Sequence, residues 1–396
     1  MALPAPGAPS LRVAFVFPNP RAELAAAVAR GEAPDSTLLG QNHMTPHGID
    51  GVLHDPWLTR RVKGDTALHR VAWNLRELLL PLELTDADAV FTPLAALFPL
   101  VARVRRLPVV VVNYGLCLIH ERAGTARRRL LAANLRAARS VVCLGESQRL
   151  QLIEQAGLDP ARVHTVLLGI DHEWFRPRPG PEAGGAPPAD PAVLAVGKDL
   201  ARDYGTLVEA VTPLGVRAHI AGYRRNVTGL ELPPAITAGD MPITELRDAY
   251  AQAGCVVVPQ FRDGYRYGSE GGGLTALLEA MAMGRPLVVS DRGVTRDYVR
   301  DGVEALVVPP EDPAALREAI ARVLGDPALA ARLGAAARAR VDSGLTSGHF
   351  AAGIAPLLRA AVGPPPRGHR RAAVRDPAQP RPGATPATSA SSLSRP

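Results

Sequence analysis

The stretch Ser269-Glu270-Gly271-Gly272-Gly273-Leu274-Thr275-Ala276-Leu277-Leu278-Glu279-Ala280-Met281-Ala282-Met283-Gly284-Arg285-Pro286 decides how the rest of the chain is read. Three consecutive glycines run into strong helix formers. The helix stops at Gly284, and Pro286 blocks its continuation. Glycines at a helix N-terminus bare backbone N–H groups and let a ligand approach the main chain. The helix dipole adds partial positive charge at the same end, which suits a phosphate or another anion. Glu270 precedes the glycines and Glu279 lies inside the helix, where a carboxylate can accept two hydroxyl hydrogen bonds, as from a ribose. Leu287-Val288-Val289-Ser290-Asp291 follows as an apolar strand. The arrangement fits a sugar-nucleotide site. It equally fits a tight strand-to-helix connection with Glu279 on a solvated face, because a lone glycine cluster is a weak motif.

Working outward, apolar strand runs recur at Ala192–Val196, Val216–Ala221, Cys255–Val258 and Ala305–Val308. Helical patterns separate them at Tyr204–Val211 and Thr244–Ala253, and two more follow at Pro313–Leu324 and Pro327–Val341. Upstream, strands are expected at Leu11–Phe17, Val52–Leu53, Asp88–Thr92, Pro108–Asn113 and Ser140–Gly145. Helices are expected at Thr66–Leu80, Leu94–Arg106 and Thr125–Arg139. Continuous apolar strands alternating with helices imply parallel sheets covered on both faces. With 396 residues, two domains are expected. The Pro/Gly-rich run Pro177–Pro188 is the natural linker. The predicted organisation is an α/β chain with a domain over 1–178, a second over 190–345, a helix over 346–362 and a disordered Pro/Arg/Ala/Ser-rich tail over 363–396.

Composition narrows the function classes. The net charge of +7 is almost entirely arginine, since the only lysines are Lys63 and Lys198, and it reads as a compositional bias. Aromatic residues make up 4% of the chain, too few for a base-stacking surface, so nucleic acid is not an expected partner. Cys117, Cys143 and Cys255 form no C-x-x-C pair, which argues against a metal site or disulfide framework and for a reducing compartment. Met1–Ser10 has no basic segment followed by a long apolar one, so no signal peptide is expected. The apolar run Ala87–Val104 is broken by Asp88, Pro93, Pro99 and Arg103 and is not a membrane span. No G-x-G-x-x-G follows the first strand and no G-x-S-x-G elbow occurs, which disfavours a nicotinamide enzyme and a serine hydrolase.

Four segments carry a resemblance. Leu168-Gly169-Ile170-Asp171-His172-Glu173-Trp174-Phe175-Arg176-Pro177 resembles the "G-V-D-x-x-x-F-x-P" end of the N-terminal domain of family 4 glycosyltransferases, whose architecture is called GT-B. Val196-Gly197-Lys198-Asp199-Leu200-Ala201-Arg202 through Leu207 resembles the start of that family's C-terminal domain. Ile243–Ala253 with Val256-Val257-Val258-Pro259 resembles the helix and strand before its donor loop, and the glycine stretch resembles its "E-G-x-G…L-L-E-A-M-A-x-G-x-P" motif. Two departures stand out. Eight residues separate Glu270 from Glu279 where the family has seven, so either a glycine bulges or Gly271 takes the place of the first glutamate. Lys198 replaces the usual arginine, and Arg202 stands for a lysine found slightly later.

The resemblance implies two Rossmann-like domains facing a cleft and transfer of a hexosyl group from a nucleotide-diphosphate sugar, with retention of configuration and no cofactor or obligatory metal. Lys198 and Arg202, with the amides of Gly272, Gly273, Leu274 and Thr275, would hold the departing diphosphate. Gly271 completes the donor loop, Glu279 would bind the ribose and Glu270 would orient the sugar. Asn113 and Tyr114 stand where the family contacts its acceptor or sugar, with His120 a further candidate beyond them; the acceptor is an unidentified glycan, lipid or small molecule. The competing readings are a sugar-nucleotide epimerase or hydrolase of the same fold and a non-catalytic binding protein. Asp86-Ala87-Asp88 has the form of a metal-binding D-x-D but precedes its strand, so it is read as a helix-to-strand turn. The helix carrying Arg127, Arg128, Arg129, Arg136 and Arg139 is a solvated face or a contact with anionic lipid. The second would place a cytoplasmic protein at the inner face of the plasma membrane.

Overall fold

The computed structural model describes residues 11–57, 67–177 and 192–363. Among the described residues twelve strands form two all-parallel sheets. The first comprises β1 (Leu11–Val16), β2 (Ile49–His54), β3 (Ala89–Thr92), β4 (Val109–Asn113), β5 (Ser140–Cys143) and β6 (Val163–Thr165), in the order β2-β1-β3-β4-β5-β6. The second comprises β7 (Ala192–Val196), β8 (Ala218–Ala221), β9 (Ile236–Gly239), β10 (Ala253–Val258), β11 (Leu287–Ser290) and β12 (Leu306–Val308), in the order β12-β11-β10-β7-β8-β9. These are the two doubly wound domains expected.

Each central strand feeds two cores, which explains its unbroken apolar run. In β4, Val110 and Val112 join a core that continues into the second domain, while Val109 and Val111 pack with Phe98, Leu131 and Leu135 on the other face. In β7 and β10, Leu194, Val196, Val256 and Val258 face the shared core, and Val193, Ala195, Cys255 and Val257 face Leu207, Ile320 and Leu333. A strand buried on both faces has no room for polar alternation.

The Ser347–Val362 helix returns to the first domain and lies on β3, β4 and β5. Its buried Phe350, Ala351, Ile354, Ala355, Leu358 and Ala361 follow helical spacing, and Phe350 meets Phe91 edge-on at 6.3 Å. Where the chain leaves the first domain and re-enters it, the two crossings pair: the Ile170 N–H donates to the Leu345 carbonyl at 2.9 Å, and the Ser347 N–H to the Ile170 carbonyl at 2.9 Å. This explains the Gly169-Ile170-Asp171 motif. A Cβ on Gly169 would collide with the Thr346 carbonyl, Ile170 makes the bridge, and Asp171 accepts the N–H groups of Asp35 and Trp174. Phe175 is fully buried against Tyr250 of the second domain.

Several expectations need correction. The Leu94–Arg106 helix shortens to Phe98–Val104, because the Thr92 hydroxyl holds the Leu94 N–H in a turn and Glu77 accepts the N–H groups of Leu97 and Phe98. The long polar connection before β2 contains a helix, Ala22–Ala29. Helices at Leu116–Arg122 and Glu146–Ala156 and strands β6 and β9 add to the elements expected. Asp86 to Asp88 lie in the turn before β3, as read, with Asp88 accepting the Arg12 N–H. The linker beyond Pro177 and the tail beyond Gly363 lie outside the described residues. Among the described residues no helix is long and apolar enough to cross a membrane.

Candidate active site

The glycine turn is built by Gln260, just past β10. The Gln260 N–H donates to the Ser290 hydroxyl at 2.9 Å, and its side-chain amide donates to the Gly272 carbonyl. Gly273 has φ +97°, and a Cβ there would stand 2.7 Å from Gln260 Oε1, so both conformation and space require glycine. From Gly273 the Leu274–Ala282 helix begins, with every residue from Ala276 to Ala282 buried. The N–H groups of Gly271, Gly272 and Leu274 are bonded to the carbonyls of Tyr114, Ser269 and Gly271. Among the described residues those of Gly273 and Thr275 have no acceptor.

The loop after β7 comes to the same place. The Asp203 N–H donates to the Pro259 carbonyl and the Phe261 N–H to the Ala201 carbonyl, which ties residues 201–203 to the Gln260 loop. Arg202 is 6% exposed, and its Nε and Nη1 have no hydrogen-bond partner. Its guanidinium packs against Gly197, where a Cβ would overlap it. Lys198 is nearer the rim, with Nζ 2.5 Å from Asp240 and 4.5 Å from the centre of the Tyr223 ring. Glu279 is buried and accepts the Tyr250 hydroxyl at 2.8 Å. Burial pushes its carboxyl up to about 7, and the Tyr250 hydrogen bond and the Arg202 charge oppose the rise.

Lys198, Arg202, Gly271, Gly272, Gly273, Thr275 and Glu279 all line one cavity of about 450 Å³, together with Tyr114, Asp199, Asp240 and Ile243. A second cavity of about 370 Å³ adjoins it, with Tyr114 and Thr275 forming part of both walls. It is lined by Phe17, Arg21, Ser36, Thr37, Leu39 and Pro93 of the first domain and by Leu168 to Ile170. Among the described residues Arg21 is its one cation and its buried Nε has no hydrogen-bond partner; the guanidinium lies over the Phe17 ring.

Other expected site residues lie elsewhere. Leu274 is buried in the shared core and does not line the cavity. Glu270 turns away from it: Oε1 accepts the Leu118 N–H of the first domain, and Oε2 is buried without a partner. Burial raises its carboxyl, with Arg292 and Arg122 opposing. Asn113 is fully buried; its amide faces the sulfurs of Cys117 and Cys143, and its oxygen accepts the Leu116 N–H, so nothing remains for an acceptor. His120 is buried, lines neither cavity, and its carbonyl accepts from Arg128. Of that trio, only Tyr114 reaches the cleft. Tyr250, Gln260, Asp240 and Arg21 add to the residues singled out from sequence. Tyr250 was the traceable one, as a tyrosine on the helix just before β10.

Residues 233–340 match the family described as "Glycosyl transferases group 1". The chain is 32% identical over 252 residues to a D-inositol 3-phosphate glycosyltransferase of Frankia alni, covering 55% of this chain and 58% of that one. It is 32% identical over 263 residues to D-inositol 3-phosphate glycosyltransferase 1 of Catenulispora acidiphila, covering 58% and 61%. The chain thus spans about three fifths of the length of these curated relatives. Among solved structures, sucrose-phosphate synthase from Thermosynechococcus elongatus superposes with a TM-score of 0.69 at 20% identity, over 88% of this chain and 98% of that one. Anabaena Alr3699/HepE in complex with UDP-glucose gives 0.65 at 15% identity, over 88% and 99%. The fold is that of the GT-B glycosyltransferases, and its second domain carries a group 1 glycosyl transferase region.

Proposed function

We propose that the protein transfers a hexosyl group from a nucleotide-diphosphate sugar to a hydroxyl of an acceptor, with retention of configuration. One observation carries this reading: a buried guanidinium with two unbonded nitrogens shares a cavity with the open N–H groups of a glycine turn. Both are donors awaiting an anion, and a diphosphate meets them. The bond between the anomeric carbon and the diphosphate oxygen breaks with its electron pair going to the diphosphate, while the acceptor oxygen bonds to that carbon and its hydroxyl proton passes to the departing diphosphate oxygen. Charge gathering on the leaving group is met by Arg202, by Lys198 released from Asp240, and by the Gly273 and Thr275 amides. Glu279, oriented by Tyr250, binds the ribose hydroxyls.

Gly271 lines the cavity and Glu270 does not, which supports the register in which Gly271 takes the usual first-glutamate position. Glu270 then joins the two domains and leaves the sugar to other groups. The acceptor occupies the cavity beyond Tyr114 and Thr275. Arg21 there favours an acceptor bearing negative charge, in keeping with the phosphorylated inositol in the relatives' names. Titration calorimetry with UDP, GDP and ADP, followed by nucleotide release from a panel of nucleotide sugars, tests the reading. Absence of binding by all three at millimolar concentration refutes it.

A further inference from the structure

The opposite end of the first sheet carries another cleft, of about 700 Å³, which the proposed reaction does not use. All strands of a parallel sheet point the same way. Tyr114, which follows β4, therefore stands at the donor side, while Leu107 and Pro108, which precede it, stand at the far end. Arg139 precedes β5, Arg162 precedes β6, and Leu357 and Ala360 of the C-terminal helix close one side. The polar wall is almost all guanidinium. Arg103, Arg106, Arg136, Arg139 and Arg162 line it with His164, and among the described residues no carboxylate does.

Some exposed arginines meet carboxylates, as in Arg262 with Glu311, Arg296 with Asp291 and Arg300 with Glu304, whereas among the described residues none of the five in the cleft does. In the cleft two are fixed by neutral main chain. Arg136 donates to the Ala156 carbonyl at 2.7 Å, and Arg162 donates to the Arg136 carbonyl at 3.1 Å. Those bonds orient the side chains without neutralising them. Arg103, Arg106 and Arg139 are exposed and make no ion pair among the described residues. Asp159, in the crevice behind Arg162, has Oδ1 bonded to the Ala161 N–H.

Arg106 adds a second, independent observation. It ends the Phe98–Val104 helix at φ +56°, where the Leu107 N–H closes back on the Ala102 carbonyl. Glycine takes that conformation without strain, and an arginine there is an outlier that carries its charge to the cleft mouth.

We propose that this cleft is a second anion site, which binds a phosphate-bearing ligand between Arg103, Arg106 and Arg139, with Arg136 and Arg162 in the same lining. Guanidinium forks match pairs of phosphate oxygens, and the volume admits a ligand larger than one phosphate. The test titrates inorganic pyrophosphate into the full chain with excess UDP present, and repeats this with the Arg103→Ala, Arg106→Ala, Arg139→Ala triple variant. The expected result is pyrophosphate binding that survives UDP and weakens at least about tenfold in the variant, with thermal midpoint and UDP response unchanged. Pyrophosphate binding that UDP abolishes, or that the variant retains, overturns the proposal. Co-sedimentation with phosphatidylglycerol vesicles, against phosphatidylcholine alone, identifies the source. Retention lost in the variant and displaced by pyrophosphate assigns the ligand to a lipid headgroup, and no retention with pyrophosphate binding intact assigns it to a soluble phosphate. Retention without pyrophosphate binding leaves only diffuse surface attraction and refutes the site.

Discussion

Replacing Arg202 with methionine separates a structural guanidinium from one held ready for an anion. A buried cation with two unbonded nitrogens costs the free protein stability, whereas methionine fills a similar volume without a charge to desolvate. The charge also favours the ionised Glu279, whose carboxyl is raised to about 7. At pH 6 Glu279 is therefore mostly protonated, and losing its cationic neighbour there matters little. The unliganded Arg202→Met protein should keep its thermal midpoint at pH 6 or gain a few degrees.

Nucleotide binding should move the other way. Each hydrogen bond from a charged donor to phosphate contributes about 1.5 kcal/mol at the low end, so two unbonded nitrogens give roughly 3 kcal/mol, or about a hundredfold in Kd. Calorimetric titration of wild type and variant with whichever of UDP, GDP or ADP the wild type binds measures this directly. A midpoint that falls by many degrees while affinity stays intact would assign Arg202 to the scaffold and refute the reasoning.

Three further outcomes follow from the same geometry. Glu279 has a folded pKa above its unfolded value, so its contribution is fully present below about pH 4.5 and is lost as pH rises through about 7, roughly 3 kcal/mol in all. Glu279→Gln should flatten the midpoint between pH 5 and 8 while weakening nucleotide binding; an unchanged pH profile would contradict this. Glu270→Ala strands the Leu118 N–H and should destabilise the protein by about 1–3 kcal/mol in urea, with nucleotide affinity unchanged. Lost turnover at unchanged stability would return Glu270 to the sugar site. Gly169→Ala drives a methyl into the Thr346 carbonyl and should cost about 1–3 kcal/mol, read by the same urea midpoint.

Much of the scaffold was legible in the sequence because burial on both faces leaves an unmistakable mark. Val109 to Val112 and Val256 to Val258 read as strands without knowledge of what covers them. The Ala22–Ala29 helix buries none of its residues, so no apolar stripe announces it. Glu146–Ala156 buries only Gln148, Leu152 and Ala156, and the first of these is polar because its side-chain oxygen accepts the Leu144 N–H. Its start is capped from the other domain, by Asp297 at 2.8 Å, a signal with no local trace.

The site was legible in a narrower sense. Glycines and cations declare that an anion can be held, and the chain does bring Arg202 and the glycine turn to one wall. Direction is what residue identity cannot convey. Glu270 and Gly271 are neighbours, yet one carboxylate reaches into the first domain while the next residue lines the cleft, because Gly271 is pinned by the Tyr114 carbonyl and Glu270 by the Leu118 N–H. Asn113 and Tyr114 divide in the same way: the end of a strand buries one side chain and offers the next to the cavity. At Glu270 and Gly271 the deciding partners lie more than 100 positions away, so motif spacing names the candidates and only the packing of one domain on the other selects among them.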